Sequence, residues 1–127
     1  MLQFEFNTTA VNLKSPAAVT ADTYGELFDI SDYKGQGLLI LNTGAGTSDT
    51  GVTPSLACGL YSCEDSDGSF AAVSSAVFTA RATAASHEGI GVDLRACDRY
   101  CKLYFNITGS GGSYTCSASA LMHDGGY

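Results

Sequence analysis

The sequence predicts an all-β protein, an antiparallel two-sheet β-sandwich or jelly roll of about seven or eight strands. Short apolar runs alternate with clusters of Gly, Ser and Asp at intervals of about ten residues. No long segment has the hydrophobic period of an amphipathic helix. The 127 residues suffice for one domain with a hydrophobic core. We therefore expect one domain over residues 21–123, after an N-terminal arm or edge strands over 1–20 and before a tail at 124–127.

The predicted elements of the first half, in order, are edge strands at Leu2–Phe6 and Val11–Leu13, a strand at Thr23–Ile30, a strand at Gly37–Asn42 and a loop at Thr43–Pro54. Pro16 is expected to break the first strands, because proline cannot donate to a strand ladder. The run Gly37–Asn42 is continuously apolar, which predicts a central strand or one buried on both faces.

The predicted elements of the second half are Leu56–Glu64, Phe70–Phe78, Ile90–Leu94, Arg99–Ile107 and Ser113–Met122. The Ala-rich segment Phe70–Phe78 is compatible with a strand, a short helix or a loop. Within Arg99–Ile107 two sets alternate: Cys101, Leu103, Phe105 and Ile107 are expected to face the core, and Tyr100, Lys102, Tyr104 and Asn106 to face solvent or a partner. The bend Thr108–Gly112 is Gly-rich, so we expect the last two strands to form a hairpin.

The charge balance excludes two classes of partner. The chain has 13 acidic and 6 basic residues, a net charge of −7, and only 15% charged residues. An acidic protein without a basic face does not bind the phosphate backbone of nucleic acids or the surface of anionic lipid membranes. No apolar run approaches the ~18 residues of a membrane span. Four of the basic residues lie between 81 and 102, either on a solvated strand face or at a contact with an acidic neighbour, which includes another copy.

The five cysteines are expected to be mostly reduced and buried as small apolar residues. Residues 1–6 show neither a basic nor an apolar region of a signal peptide, so we expect synthesis in a cytosol, where thiols stay reduced. No Cys-x-x-Cys is present. In an extended chain Cys97 and Cys101 would lie about 13 Å apart, too far for a disulfide or one metal ion.

Catalytic and cofactor motifs are missing from the sequence. His87 lies in a segment with loop composition and His123 lies in the predicted tail, and neither adjoins a nucleophile motif. The acidic stretch Glu64–Ser69 has carboxylates that suit a calcium loop, but it lacks the later Glu of that motif and fits a tight turn better. We expect a non-enzymatic protein without metal or cofactor.

Three segments resemble small structural proteins of tailed-bacteriophage particles of the capsid decoration, or cement, type. They are Asp29–Gly35, which precedes an apolar strand, Cys63–Phe70 at the end of a strand, and Arg99–Phe105, which is followed by a Gly-rich bend and an Ala/Ser strand through Ala120. The resemblance spans about residues 20–123, and the cysteine content departs from it. It implies a virion component, assembled in the host cytoplasm, that binds the major capsid protein on the outside of the shell and associates with itself, often as a homotrimer.

The interface expected on this basis combines basic and aromatic side chains: Arg95, Arg99, Lys102, Tyr100 and Tyr104. Tyrosine contacts would supply affinity, and the cations would meet carboxylates of the shell or a sister subunit. Two alternatives stay open. One is a neck, tail or receptor-binding component of the particle. The other is a free carbohydrate-binding or other ligand-binding module, although the chain has no Trp.

Overall fold

The computed structural model describes residues 8–124, which form ten strands and one 3-10 turn, Leu94–Ala96. The strands are β1 Thr8–Val19, β2 Thr23–Tyr24, β3 Phe28–Asp29, β4 Tyr33–Thr43, β5 Thr47–Ser48, β6 Ser55–Cys63, β7 Ala71–Val77, β8 Ser86–Asp93, β9 Tyr100–Thr108 and β10 Gly112–Asp124. The predicted strand Leu2–Phe6 and the last residues of the predicted tail lie outside the described residues. No helix within the described range has the length and apolar character that a membrane crossing needs.

The strands form two antiparallel sheets. Sheet A has the order β1-β10-β4-β8, with the short β5 paired to β10, and sheet B has the order β2-β9-β6-β7, with β3 paired to β9. The chain passes from one sheet to the other after β1, β3, β5, β7, β8 and β9, so that most sequence neighbours lie in different layers. This connectivity is that of an eight-stranded jelly roll in which β2 and β3 share one position. The prediction of an all-β sandwich or jelly roll is confirmed.

The hydrophobic core lies between the two sheets and is filled by alternate residues of each strand. Strand β9 contributes Cys101, Leu103 and Phe105, each with 0% exposure, and Leu39 and Leu41 of β4 face them from sheet A. The outward residues of β9 are half-buried. The alternation of inward and outward side chains predicted for Arg99–Ile107 is therefore confirmed. Burial of the inward apolar side chains removes their surface from water, which stabilises this arrangement.

The predicted hairpin between the last two strands is wrong. β9 pairs with β6, β2 and β3, whereas β10 pairs with β1, β4 and β5. The bend between them crosses from sheet B to sheet A, and Gly109 and Gly111 adopt positive φ angles of 91° and 75° there. A Gly-rich bend permits either a hairpin or a crossover. The two strands bury their apolar faces against each other across the core, which pairing side by side in one sheet would not achieve.

The predicted strand Thr23–Ile30 is interrupted by a close backbone approach. A Cβ atom on Gly25 would lie 2.4 Å from the carbonyl oxygen of Leu13. The Gly25 N–H donates to Leu103 O at 2.8 Å and the Glu26 N–H to Leu13 O at 2.7 Å. The chain thereby turns from β9 of sheet B to β1 of sheet A at Glu26, and this divides the segment into β2 and β3.

Three further segments differ from their predictions. Pro16 does not end β1, because it lies at an irregularity between Lys14 and Ala17, where the ladder to β10 shifts its register. The predicted strand Ile90–Leu94 begins earlier and includes His87, which was predicted in a loop. For Gly37–Asn42 the first of the two predicted alternatives, a central strand, is confirmed, since β4 lies between β10 and β8; burial on both faces is not observed, because Leu38 is 39% exposed.

Candidate binding face

The outer face of sheet B carries a cluster of four aromatic rings, which we call the aromatic face: Tyr24, Tyr61, Phe70 and Tyr104. Tyr104 of β9 lies opposite Tyr24 of β2. The ring centroid of Tyr104 is 4.8 Å from that of Tyr24 and 5.2 Å from that of Tyr61. The Tyr24 ring is 6.1 Å from Tyr61, edge to face, and 6.3 Å from Phe70. Such contacts stabilise the rings in one arrangement on the surface.

Lys102 places its cation over this cluster. Its Nζ atom lies 4.1 Å from the centroid of Tyr24 and 4.2 Å from that of Phe70. Both distances are within the ~6 Å range in which a ring face attracts a cation. Lys102 therefore joins the rings of β2 and of the β6–β7 connection, and it gives the aromatic face a positive charge in a protein of net charge −7.

An open groove of about 290 Å³ runs beside the tyrosines. Its lining is mostly apolar and includes Ala57, Gly59, Val77, Tyr61, Tyr104 and Asn106. Gly59 lies opposite Tyr104 in the ladder. Because Gly59 has no side chain and Ala57 has a small one, the surface between β9 and β7 is low and one side of the Tyr104 ring borders open space. The groove can accept an apolar or planar group.

Asp22 forms the polar border of the aromatic face. Its carboxylate accepts hydrogen bonds from the Tyr104 hydroxyl at 3.2 Å, the Asn106 amide at 3.2 Å and the Ile107 N–H at 2.9 Å. Desolvation is the main cause that raises the pKa of Tyr104, and the nearby Asp22 carboxylate adds to it. The Tyr104 hydroxyl thus stays protonated, as a donor, at neutral pH.

The predicted interface residues divide into three groups. Lys102 and Tyr104 lie in the aromatic face. Tyr100 lies at the far end of the same side of β9, where the guanidinium of Arg99 is 5.0 Å from its ring centroid. Arg95 lies in the 3-10 turn and binds Asp93 two residues away, with an Nη2–Oδ2 distance of 3.1 Å. The structure thus brings Lys102 and Tyr104 together and leaves Arg95 engaged locally.

Sequence reasoning missed Tyr24, Tyr61 and Phe70 as members of the site. For Tyr61 a signal was present, because β6 alternates buried Leu56, Cys58 and Leu60 with outward residues. That period places Tyr61 outward. For Tyr24 and Phe70 no local pattern was available, since they reach the cluster through strand pairing and a turn.

Arg99 forms an ion pair with Asp29, its Nη2 atom 2.9 Å from Oδ2. The hydrogen bond from Arg99, followed by that from the Ser31 N–H, lowers the pKa of Asp29 from 3.8 to about 2. A lowered folded-state pKa stabilises the protein above the unfolded pKa, and that stability is lost as the pH falls through the folded pKa.

We therefore expect the Arg99→Gln variant to be slightly less stable than the natural protein above about pH 4; the loss should be small because solvent screens the exposed ion pair. The difference should vanish between about pH 4 and pH 2, as Asp29 is protonated in both proteins. Urea unfolding followed by circular dichroism at several pH values measures it. A difference that persists at the acid end would show that Arg99 acts through something other than Asp29.

All five cysteines lie within the described residues and are free thiols. Cys58, Cys101 and Cys116 are at most 4% exposed, and burial raises the pKa of Cys58 and Cys116. The expected separation of about 13 Å assumed an extended chain, whereas the chain bends at residues 97–99 and the side chains of Cys97 and Cys101 interact. Their hydrogen bond lowers the pKa of Cys97 and raises that of Cys101.

Thiol alkylation should accordingly proceed in two classes. Cys97 and Cys63, both partly exposed, should react in the folded protein, and Cys97 should react first because Cys101 favours its thiolate. Cys58, Cys101 and Cys116 should react only after unfolding. Iodoacetamide labelling, followed by peptide mass spectrometry with and without denaturant, gives the order. Early labelling of Cys58 would contradict the buried position of its thiol in the core.

The acidic stretch Glu64–Ser69 forms the predicted tight turn between β6 and β7, where the Gly68 N–H donates to Asp65 O at 3.2 Å. Across the part of the chain that the structure describes, no group of three or more His, Cys, Asp or Glu residues is arranged to hold a metal ion. His87, in β8, hydrogen-bonds Asn42 of the neighbouring β4.

Comparisons with known proteins reveal similarity of structure only. No family model and no curated protein matches the sequence. A chain of the T13 viral particle of infectious bursal disease virus matches with a TM-score of 0.58 at 11% identity, over 94% of this chain and 31% of that one. Our chain therefore spans less than a third of the viral chain.

Two further structures also match. The K3 cleaved adhesin domain of Lys-gingipain from Porphyromonas gingivalis has a TM-score of 0.51 at 12% identity, over 91% of this chain and 72% of that one. A prophage protein, YomS of SPBc2, has a TM-score of 0.47 at 14% identity, over 91% and 92%. The matches to the viral particle chain and to the adhesin domain establish that this chain shares their sandwich fold.

Proposed function

We propose that this protein is a non-enzymatic structural component of a bacteriophage virion, a capsid decoration protein whose aromatic face binds the outer surface of the shell. The observation that carries the proposal is the aromatic face itself. It combines four clustered rings, a cation and an apolar groove on one side of a rigid sheet. Tyrosine-rich surfaces with few charges are typical of protein interfaces.

The electrostatics suit a shell surface with acidic groups. Lys102 adds positive charge to a face of an otherwise acidic protein, whereas the charge of Arg99, just before β9, is already paired with Asp29. A single contact through the aromatic face is weak, but a shell repeats its binding sites many times. Copies that also touch one another gain avidity without new contacts. The sandwich fold, which a viral particle chain shares, is compatible with this role.

The direct experiment uses empty shells assembled from the major capsid protein of the same phage genome. The purified protein should co-sediment with these shells and saturate at a fixed number of copies per capsomer. Densitometry of purified virions should show hundreds of copies, as many equivalent shell sites require. A few copies per particle would instead indicate a neck, tail or receptor-binding component. Absence from virions would exclude every virion role.

A second candidate is a ligand-binding module, and one observation favours it. The groove beside Tyr61 and Tyr104 has a ring face next to the Asn106 amide and the Asp22 carboxylate. Rings with adjacent hydrogen-bonding groups suit a sugar. Saturable quenching or enhancement of tyrosine fluorescence by oligosaccharides, with no binding to shells, would support this function over decoration.

A further inference from the structure

The outer face of sheet A has a raised part and a low part on neighbouring strands, which we call the ridge and the trough. The ridge is Leu38 of β4 and Leu121 of β10, which lie opposite each other in the ladder and are 39% and 38% exposed. The trough is Gly89 and Gly91 of β8, opposite Ile40 and Leu38. Leu38, Gly91 and Leu121 border a groove of about 340 Å³.

The glycines of the trough are not required by the backbone. A Cβ atom on Gly91 would meet nothing within 4 Å, and neither residue has a positive φ. Glycine in a strand interior weakens the strand, and it often marks a place where another group approaches closely. The fold itself therefore gives no reason for a trough beside two exposed leucines.

The absence of charge on this face of sheet A indicates the kind of molecule that can bind it. The ridge, the trough, Ile40 and Ser119 carry no charge. Asp93 at the end of β8 is paired with Arg95. A protein with a net charge of −7 repels its own copies. An uncharged, apolar face is the part of such a surface through which two copies can approach without like-charge contact.

We propose that two copies of this chain pair through the outer faces of their A sheets, with the ridge of each copy in the trough of the other. Ridge and trough lie on adjacent strands about 5 Å apart, so one two-fold axis between them fits both at once. Such an isologous contact is self-complementary. It leaves both aromatic faces outward, and it does not depend on the proposed shell binding.

The contact area sets the expected strength. Four strands by about three outward residues give roughly 300–400 Å² per copy, about half of the ~800 Å² per partner in a standard interface. Pairing should therefore be weak and concentration-dependent in solution. It should strengthen with added salt, because salt screens the repulsion between acidic copies and leaves apolar contacts intact.

Sedimentation velocity of the full chain, over a roughly hundredfold range of concentration, tests the proposal. The natural protein should move from monomer towards dimer, more so in high salt. Gly91→Val should fold normally, since its side chain enters open space, but should stay monomeric because it fills the trough. Ser74→Val on β7, also at an exposed position but on sheet B, should dimerise like the natural protein.

Each other outcome overturns the proposal. A natural protein that stays monomeric throughout has no such contact. Unchanged pairing of Gly91→Val places the contact elsewhere, and association that weakens in salt indicates ion pairs instead. A trimer would exclude the two-fold arrangement and would support the three-fold association that the phage resemblance implies. Circular dichroism and urea unfolding of both variants establish that they are folded.

Discussion

Replacing Phe105 by alanine should lower the free energy of unfolding by about 3–5 kcal/mol, the usual loss for a large buried aromatic residue. Phe105 has 0% exposure and points between the sheets from the centre of β9. Its removal leaves a cavity among side chains of both sheets. Urea unfolding monitored by circular dichroism measures the loss, which is a large part of the total stability of a domain of this size.

The neighbouring position provides the matched control. Tyr104→Ala removes an aromatic side chain of similar size from the same strand, but from its outer side. It should cost much less than Phe105→Ala, since it removes only ring contacts and the hydrogen bond to Asp22. Phe105→Leu, which keeps most of the volume, should cost less than about 1.5 kcal/mol. Equal losses for Phe105→Ala and Tyr104→Ala would contradict the inward and outward assignment of β9.

The second large effect should appear in shell binding. Tyr61→Ala and Tyr104→Ala should each weaken binding to empty shells by at least about tenfold, because central aromatic residues dominate interface energies, often by 2 kcal/mol or more. The double variant should bind barely above background. Co-sedimentation at increasing protein concentration, with bound copies counted by gel densitometry, gives the affinities.

The control for this experiment is an exposed apolar residue away from the aromatic face. Val52, in the loop between β5 and β6, is 47% exposed, and Val52→Ala should bind like the natural protein. All variants should keep the circular dichroism spectrum of the natural chain. If Tyr61→Ala and Tyr104→Ala bind normally while Val52→Ala does not, the shell contact lies at the loop end of the sandwich instead.

Strand periodicity explains why much of the fold was predictable. In β9 the alternation of Cys101, Leu103 and Phe105 with Tyr100, Lys102 and Tyr104 assigns both faces from local sequence alone. The turn at Glu64–Ser69 was predicted for a similarly local reason, because Asp and Gly suit tight turns. Two of the predicted interface residues, Lys102 and Tyr104, lie in the candidate site for the same reason.

Strand partners were not predictable in this way. The bend after β9 has the composition of a hairpin, yet it crosses between sheets. The hydrogen bond from Glu26 to Leu13, which lies where β2 is divided from β3, joins that connection to β1. Neither leaves a local signal, since both depend on which distant strands bury the most apolar surface together.

The amino-acid sequence by itself determined an all-β chain, the direction of alternate side chains in its clearest strands, and an acidic surface poor in charge. Only the tertiary structure decided that Tyr24, Tyr61 and Phe70 meet Lys102 and Tyr104, and that two glycines of β8 lie beside the leucines of β4 and β10. The physical reason is one of range. Side-chain alternation follows from the geometry of a single strand, whereas sheet order follows from packing between strands far apart in the chain.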